Sequence, residues 1–77
     1  MQADPKDYQA RFDLAEALAA SGDLGGAVDE LLAIIEAKRD WNNGAARAQL
    51  LKVFEAAGLS SDLANDGRRR LSAILFA

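Results

Sequence analysis

The sequence predicts an all-α domain of four short antiparallel helices. Apolar residues recur at spacings of three and four, which is the period of one helix face. Glycine-bearing breaks at Gly22, Gly44 and Gly58 cut the chain into pieces of helix length. No stretch shows the strict alternation of a half-buried strand.

The first helix is expected to open at Asp4, with Pro5 in the first helical position and Asp7 three residues after the cap. Proline has no N–H to leave unsatisfied there, and both acids suit the positive end of the helix dipole. Tyr8, Phe12, Ala15 and Ala19 form its apolar stripe, widened by Leu14 and Leu18. Ser21-Gly22 ends it, because glycine accepts the left-handed backbone of a C-cap.

Asp23 caps the second helix, whose stripe is Leu24, Ala27, Val28, Leu31, Ile34 and Ile35. It is expected to run to about Arg39, with Lys38 and Arg39 as favourable cations in its last turn. Trp41-Asn42-Asn43-Gly44 is the next break. Either asparagine can cap the third helix, and with Asn42 as cap Trp41 can fold over Ala46 as a staple. Trp41 could otherwise line a peptide groove; burial habits favour the staple. Ala46, Leu50, Val53, Phe54 and Ala57 make the third stripe, and Gly58 stops that helix.

Ser60 or Ser61 caps the fourth helix, with Leu63, Ala64, Gly67, Leu71, Ile74 and Leu75 as its apolar face. Gly67 inside it costs about 1 kcal/mol of helix propensity relative to alanine. Either another backbone approaches closely there, or the helix begins late or kinks.

Composition narrows the function. At 77 residues the chain is one domain, spanning 1–77. It is 51% hydrophobic with no cysteine, so its core has no disulfide support and is suited to completion by a neighbouring surface. Histidine is absent too. Thiolate nucleophile, common zinc ligands and the usual neutral-pH acid–base group are all missing, so the chain reads as non-enzymatic, without cofactor or metal. Cysteine-free composition fits a cytoplasmic location. The N-terminus lacks a signal-peptide pattern, and no apolar run approaches a membrane span.

The net charge of −3 argues against nucleic acid as a partner. The charge is uneven: residues 1–40 hold nine acids and four bases, residues 41–77 three acids and five bases. Arg68-Arg69-Arg70 cannot form one basic strip, since consecutive helical residues diverge around the axis. Asp13, Glu16, Asp29, Glu30 and Glu36 have no histidine or cysteine beside them and read as solvated helix surface. Gly25-Gly26 is not followed by the lysine and hydroxyl of a phosphate loop.

An internal repeat is visible. Gly22 and Gly58 lie 36 positions apart, as do Leu14 and Leu50. The spacing is near the 34-residue period of the tetratricopeptide repeat, a helix pair that stacks into a right-handed superhelix. The first unit follows that pattern: Leu14-Ala15 and Leu18 precede Gly22, Ala27 is the small residue at the helix crossing, and Leu31 and Ile34 follow. Its departures are Arg11, where a large aromatic is usual, and Arg39 in place of proline. The second unit is degenerate, since the same alignment puts Leu63 at the crossing and Gly67 in a core slot.

The segment Arg39-Asp40-Trp41-Asn42-Asn43-Gly44-Ala45-Ala46-Arg47, with the ending Arg68-Arg69-Arg70-Leu71-Ser72-Ala73-Ile74-Leu75-Phe76, is more specific. It resembles the C-terminal tetratricopeptide-like domain of bacterial thioredoxin-like proteins of the chaperedoxin type, over about Asp4 to Phe76. The resemblance implies a holdase or co-chaperone that shields unfolding clients and passes them to a chaperonin, its last helix docking on that chaperonin. It also implies that the chain is part of a longer protein whose thioredoxin-fold domain carries any redox chemistry. On a helical wheel Arg69 and Phe76 point away from the core while Leu75 faces it. With the docking helix that the resemblance implies, Arg69, Leu75 and Phe76 are the candidate docking residues. Against this, the last turn can fray and Phe76 can fold onto the nearest groove. The protein partners expected are a chaperonin, unfolded clients, the thioredoxin-fold domain or a second copy in a homodimer. A rival reading is purely structural: the domain dimerises or orients its neighbour and binds no client.

Overall fold

The computed structural model describes residues 7–76. It contains four α-helices and one short 3-10 turn, with no strand among the described residues: α1 (Tyr8–Ala20), α2 (Leu24–Ala37), the turn Trp41–Gly44, α3 (Ala45–Ala57) and α4 (Asp62–Leu75). Tight links at 21–23 and 58–61 fold α1 back on α2 and α3 back on α4. The molecule is a slab measuring 36 × 31 × 18 Å, about two helix layers thick.

Asp7, not Asp4, is the observed cap of α1: its carboxylate accepts from the Ala10 N–H at 3.0 Å. The expected opening at Asp4 and Pro5 lies outside the described residues. At the other end Gly22 takes φ +94°. The Asp23 N–H then reaches the Leu18 carbonyl at 2.8 Å and the Gly22 N–H the Ala19 carbonyl at 3.1 Å. These paired bonds are a Schellman closure, and only glycine accepts its left-handed residue without strain. Asp23 then caps α2, accepting from the Gly26 N–H at 2.9 Å. One residue thus ends one helix and starts the next. Asp23→Ala should cost about 0.5–2 kcal/mol in urea denaturation, with Asp23→Asn near wild type. Equal midpoints for all three would remove the cap from the account.

The second helix supplies the centre of the core. Ala27, Val28, Leu31, Leu32, Ile34 and Ile35 are all buried, and α2 packs closely against α1 and α3 and more lightly against α4. Ala15 on α1 and Ala27 on α2 are both fully buried. Alanines at such positions allow the axes to approach to about 8–10 Å. Arg11 holds α1 to α2 on its flank through Glu30 at 3.1 Å. Leu14 does not join this core. It is 48% exposed, because α1 has α2 as its one substantial neighbour and its far side meets solvent. Its counterpart Leu50 is fully buried, since α3 sits between α2 and α4. Leu18 and Ala19 are half-buried.

The α2–α3 junction differs from expectation in two ways. The helix stops at Ala37, and Lys38 is already extended, so Lys38 and Arg39 lie beyond its last turn. Arg39 instead crosses to the end of α4, donating from Nη2 to the Ile74 carbonyl at 2.9 Å. A cation there complements the negative end of the α4 dipole. Nor does either asparagine cap α3. Asn42 and Asn43 take φ of +49° and +57°, and Gly44 at +82° is the cap residue. Asparagine is one of the few residues that enter the left-handed region readily, and that capacity is used here for a turn. Trp41 packs on Phe12, ring centroids 5.3 Å apart at 46°, and so joins the turn to α1.

In the second hairpin Ala46, Leu50, Val53 and Phe54 are buried from α3, while Ala57 is half-buried. Gly58, at φ +99°, ends the helix. Of the two candidate serines, Ser61 caps α4, its hydroxyl accepting from the Ala64 N–H at 3.2 Å. From α4, Ala64, Gly67 and Leu71 are buried and Leu63, Ile74 and Leu75 half-buried. The helix runs through Gly67 without interruption. The close approach there comes from an aromatic ring, not a backbone: a Cβ on Gly67 would lie 2.6 Å from Phe54 Cζ and closer still to Cε1.

Candidate protein-binding surface

The three consecutive arginines of α4 diverge. Arg70 pairs with Asp29 on α2 at 2.7 Å. Arg68 turns the other way, donating from Nη2 to the Leu59 carbonyl at 2.8 Å and to Asn65 Oδ1 at 2.6 Å. Arg69 is exposed and meets no carboxylate among the described residues.

On the Arg68 side, α3 and α4 flank an open groove of about 270 Å³ lined by Arg47, Leu51, Arg68, Leu71, Ser72, Leu75 and Phe76. Arg47 and Leu51 stand one turn apart on α3 and therefore share a face. Leu71 and Leu75 are similarly spaced on α4. The helix ends at Phe76, whose N–H donates to the Ser72 carbonyl at 2.9 Å while its ring remains 83% exposed. Of the three candidate docking residues, the groove unites Leu75 and Phe76. Arg69 lies outside its lining, and Arg68 stands in the position expected of it.

Sequence reasoning passed over Arg47 and Leu51. Leu51 follows the core residue Leu50 and falls off the α3 stripe. The signal was the Arg47–Leu51 spacing, which acquires meaning only when α4 is placed beside it. Leu51 is 49% exposed. With half-buried Leu75 and exposed Phe76 it forms a small apolar strip over the buried Leu71.

Three other grooves have a different character. Two lie along α2 and α4 and are lined in part by Asp29 and Glu36, and by Glu36. The third includes Asp29, Asp62 and Asp66. Trp41 lines none of these four. The acids singled out from the sequence are dispersed: Asp13 accepts from Gln9 Nε2 at 2.9 Å, while Glu30 and Asp29 serve the two ion pairs. Among the described residues no three or more histidine, cysteine or acidic residues gather in a way that could hold a metal ion. No helix of the described residues is long and apolar enough to cross a membrane.

Two glycine-closed helix pairs stacked about a shared α2 form the architecture of a helical repeat, and the tetratricopeptide repeat family profile matches residues 1–76. The chain belongs to the tetratricopeptide repeat family. Neither the curated proteins nor the solved structures yield a match. Tetratricopeptide repeats are generally non-catalytic modules of protein–protein interaction. In this one the second repeat is distorted. Leu63, aligned with Ala27, is half-buried, and Ala64 and Gly67 supply the small buried positions of α4.

Proposed function

We propose that this tetratricopeptide domain is the interaction module of a thioredoxin-like holdase or co-chaperone, and that the end of α4 docks on a chaperonin or an unfolded client. The observation that carries the docking assignment is Phe76, a large aromatic left 83% exposed at the mouth of an apolar groove. Buried aromatics with arginine neighbours are the usual anchors of protein interfaces, and hiding such a ring is a gain open to a partner. The resemblance of the Arg39–Arg47 and Arg68–Phe76 segments to chaperedoxin tails supports the chaperone context. No catalytic role is assigned to the chain.

Phe76→Ala should weaken chaperonin binding by about tenfold or more, the loss expected of an interface anchor. Helicity by circular dichroism should stay at the wild-type level, because the ring supports no buried neighbour. Surface-immobilised chaperonin provides the affinity measurement. Unchanged affinity in this variant, and in one lacking Leu75 to Ala77, would reject the docking assignment. Holdase action is read separately, from light scattering of an aggregating client with and without the domain. Concentration-dependent self-association without any client protection would leave a dimerising or orienting role in its place.

A further inference from the structure

We infer that the α3–α4 groove receives an acidic amphipathic segment of another protein, its apolar side chains lying on Leu51, Leu71, Leu75 and Phe76 and its carboxylates on Arg47 and Arg68. The inference rests on the docking surface proposed above and specifies the chemistry of its occupant. Charge is the deciding observation. The protein as a whole is acidic, at net −3, yet this groove has two arginines and no carboxylate among the described residues of its lining. The three other grooves each include at least one aspartate or glutamate. The other three also carry an arginine each, Arg70 or Arg39, but always beside a carboxylate, so among these four grooves this one alone offers an acidic occupant arginines without a competing acid among the described residues.

The two arginines are set for different tasks. Arg68 is tied to the Leu59 carbonyl and to Asn65, so its guanidinium is held in a defined position at the groove edge. Arg47 meets no carboxylate among the described residues and projects from the first turn of α3 on the opposite edge. Between these edges the floor is apolar. One arginine on each side and leucines between them match a segment that presents apolar residues on one face and acids on its flanks. Arg69, exposed just beyond the lining, adds positive potential for capture and contributes to the rate of encounter.

Arg47→Glu separates this chemistry from folding. The position is in the first turn of α3, where an acid is favoured by the helix dipole, so the variant should fold at least as well as wild type. The probes are two labelled synthetic peptides of equal length and identical leucine pattern, one with glutamate and one with lysine at every polar position. Fluorescence anisotropy with the 77-residue chain should show the glutamate peptide binding about tenfold or more tighter than the lysine peptide. Arg47→Glu should narrow or invert that preference, and rising salt should weaken the glutamate complex. Equal affinity for the two peptides would overturn the inference. So would an unchanged preference in Arg47→Glu, or sedimentation showing that the groove is already filled by a second copy and freed by the same substitution. Client protection measured on the same samples keeps the two readings apart. Protection without charge preference rejects the acidic occupant alone, and absence of both rejects the docking surface as well.

Discussion

Phe54→Ala should destabilise the protein by about 3–5 kcal/mol, the range for removing a buried aromatic. Phe54 is among the largest fully buried side chains, and its ring lies against the bare backbone of Gly67. With no side chain at Gly67 to move inward, the space vacated by the ring can close only if α3 and α4 shift together. A domain of this size has about 4–12 kcal/mol in total, so the variant should melt early and with reduced cooperativity. The specific sign of this packing is a reversal at Gly67. In the wild type, Gly67→Ala gains about 1 kcal/mol of helix propensity but forces a methyl into the ring, which costs about 1–3 kcal/mol. The net effect should be a loss. In the Phe54→Ala background the same methyl enters empty space and should stabilise. Urea denaturation of the four proteins reads both signs, and a stabilising Gly67→Ala in the wild type would refute the ring-to-backbone contact.

Leu31→Ala is the second large effect, at about 2–5 kcal/mol. Leu31 is fully inaccessible and sits midway along α2, the helix that all the others pack against. Its loss should therefore loosen both hairpins in one transition. Far-ultraviolet circular dichroism and tryptophan fluorescence, the latter reporting on Trp41 against Phe12, should lose signal at the same urea concentration. A midpoint within about 0.5 kcal/mol of wild type would mean that the site behaves as surface.

The architecture was readable because most of its signals are local. Asp23, Ser61, Gly22 and Gly58 act on their own turns, and the Ala27–Leu31–Ile34 spacing requires only the helical period. What the sequence did not disclose depends on neighbours it does not name. Leu14 fits its stripe as well as Leu50 does, and the two differ only in how many helices surround them. Lys38 and Arg39 have good credentials for a last helical turn. Arg39 leaves it for a carbonyl 35 residues away, a pairing that no local rule foresees. Asn42 departs from expectation for another reason: its side chain suits a cap and its backbone suits a turn, and in Asn42-Asn43-Gly44 the backbone decides. The groove was half legible. Phe76 follows from the helical wheel, whereas Leu75 reads there as core-facing and Arg47 and Leu51 need the α3–α4 pairing.

The central position of α2 bears on how the chain reaches this state. Helices adjacent in the sequence are also adjacent in space, and most contacts close short stretches of chain. Such a topology has little loop entropy to overcome before its contacts form, which places it among the fast folders. The sequence of events follows from the same layout. A nucleus of α2 with α1 and α3 already contains most of the buried apolar surface, and α4, which packs more lightly on α2 and α3 than α1 does on α2, should dock last and open first.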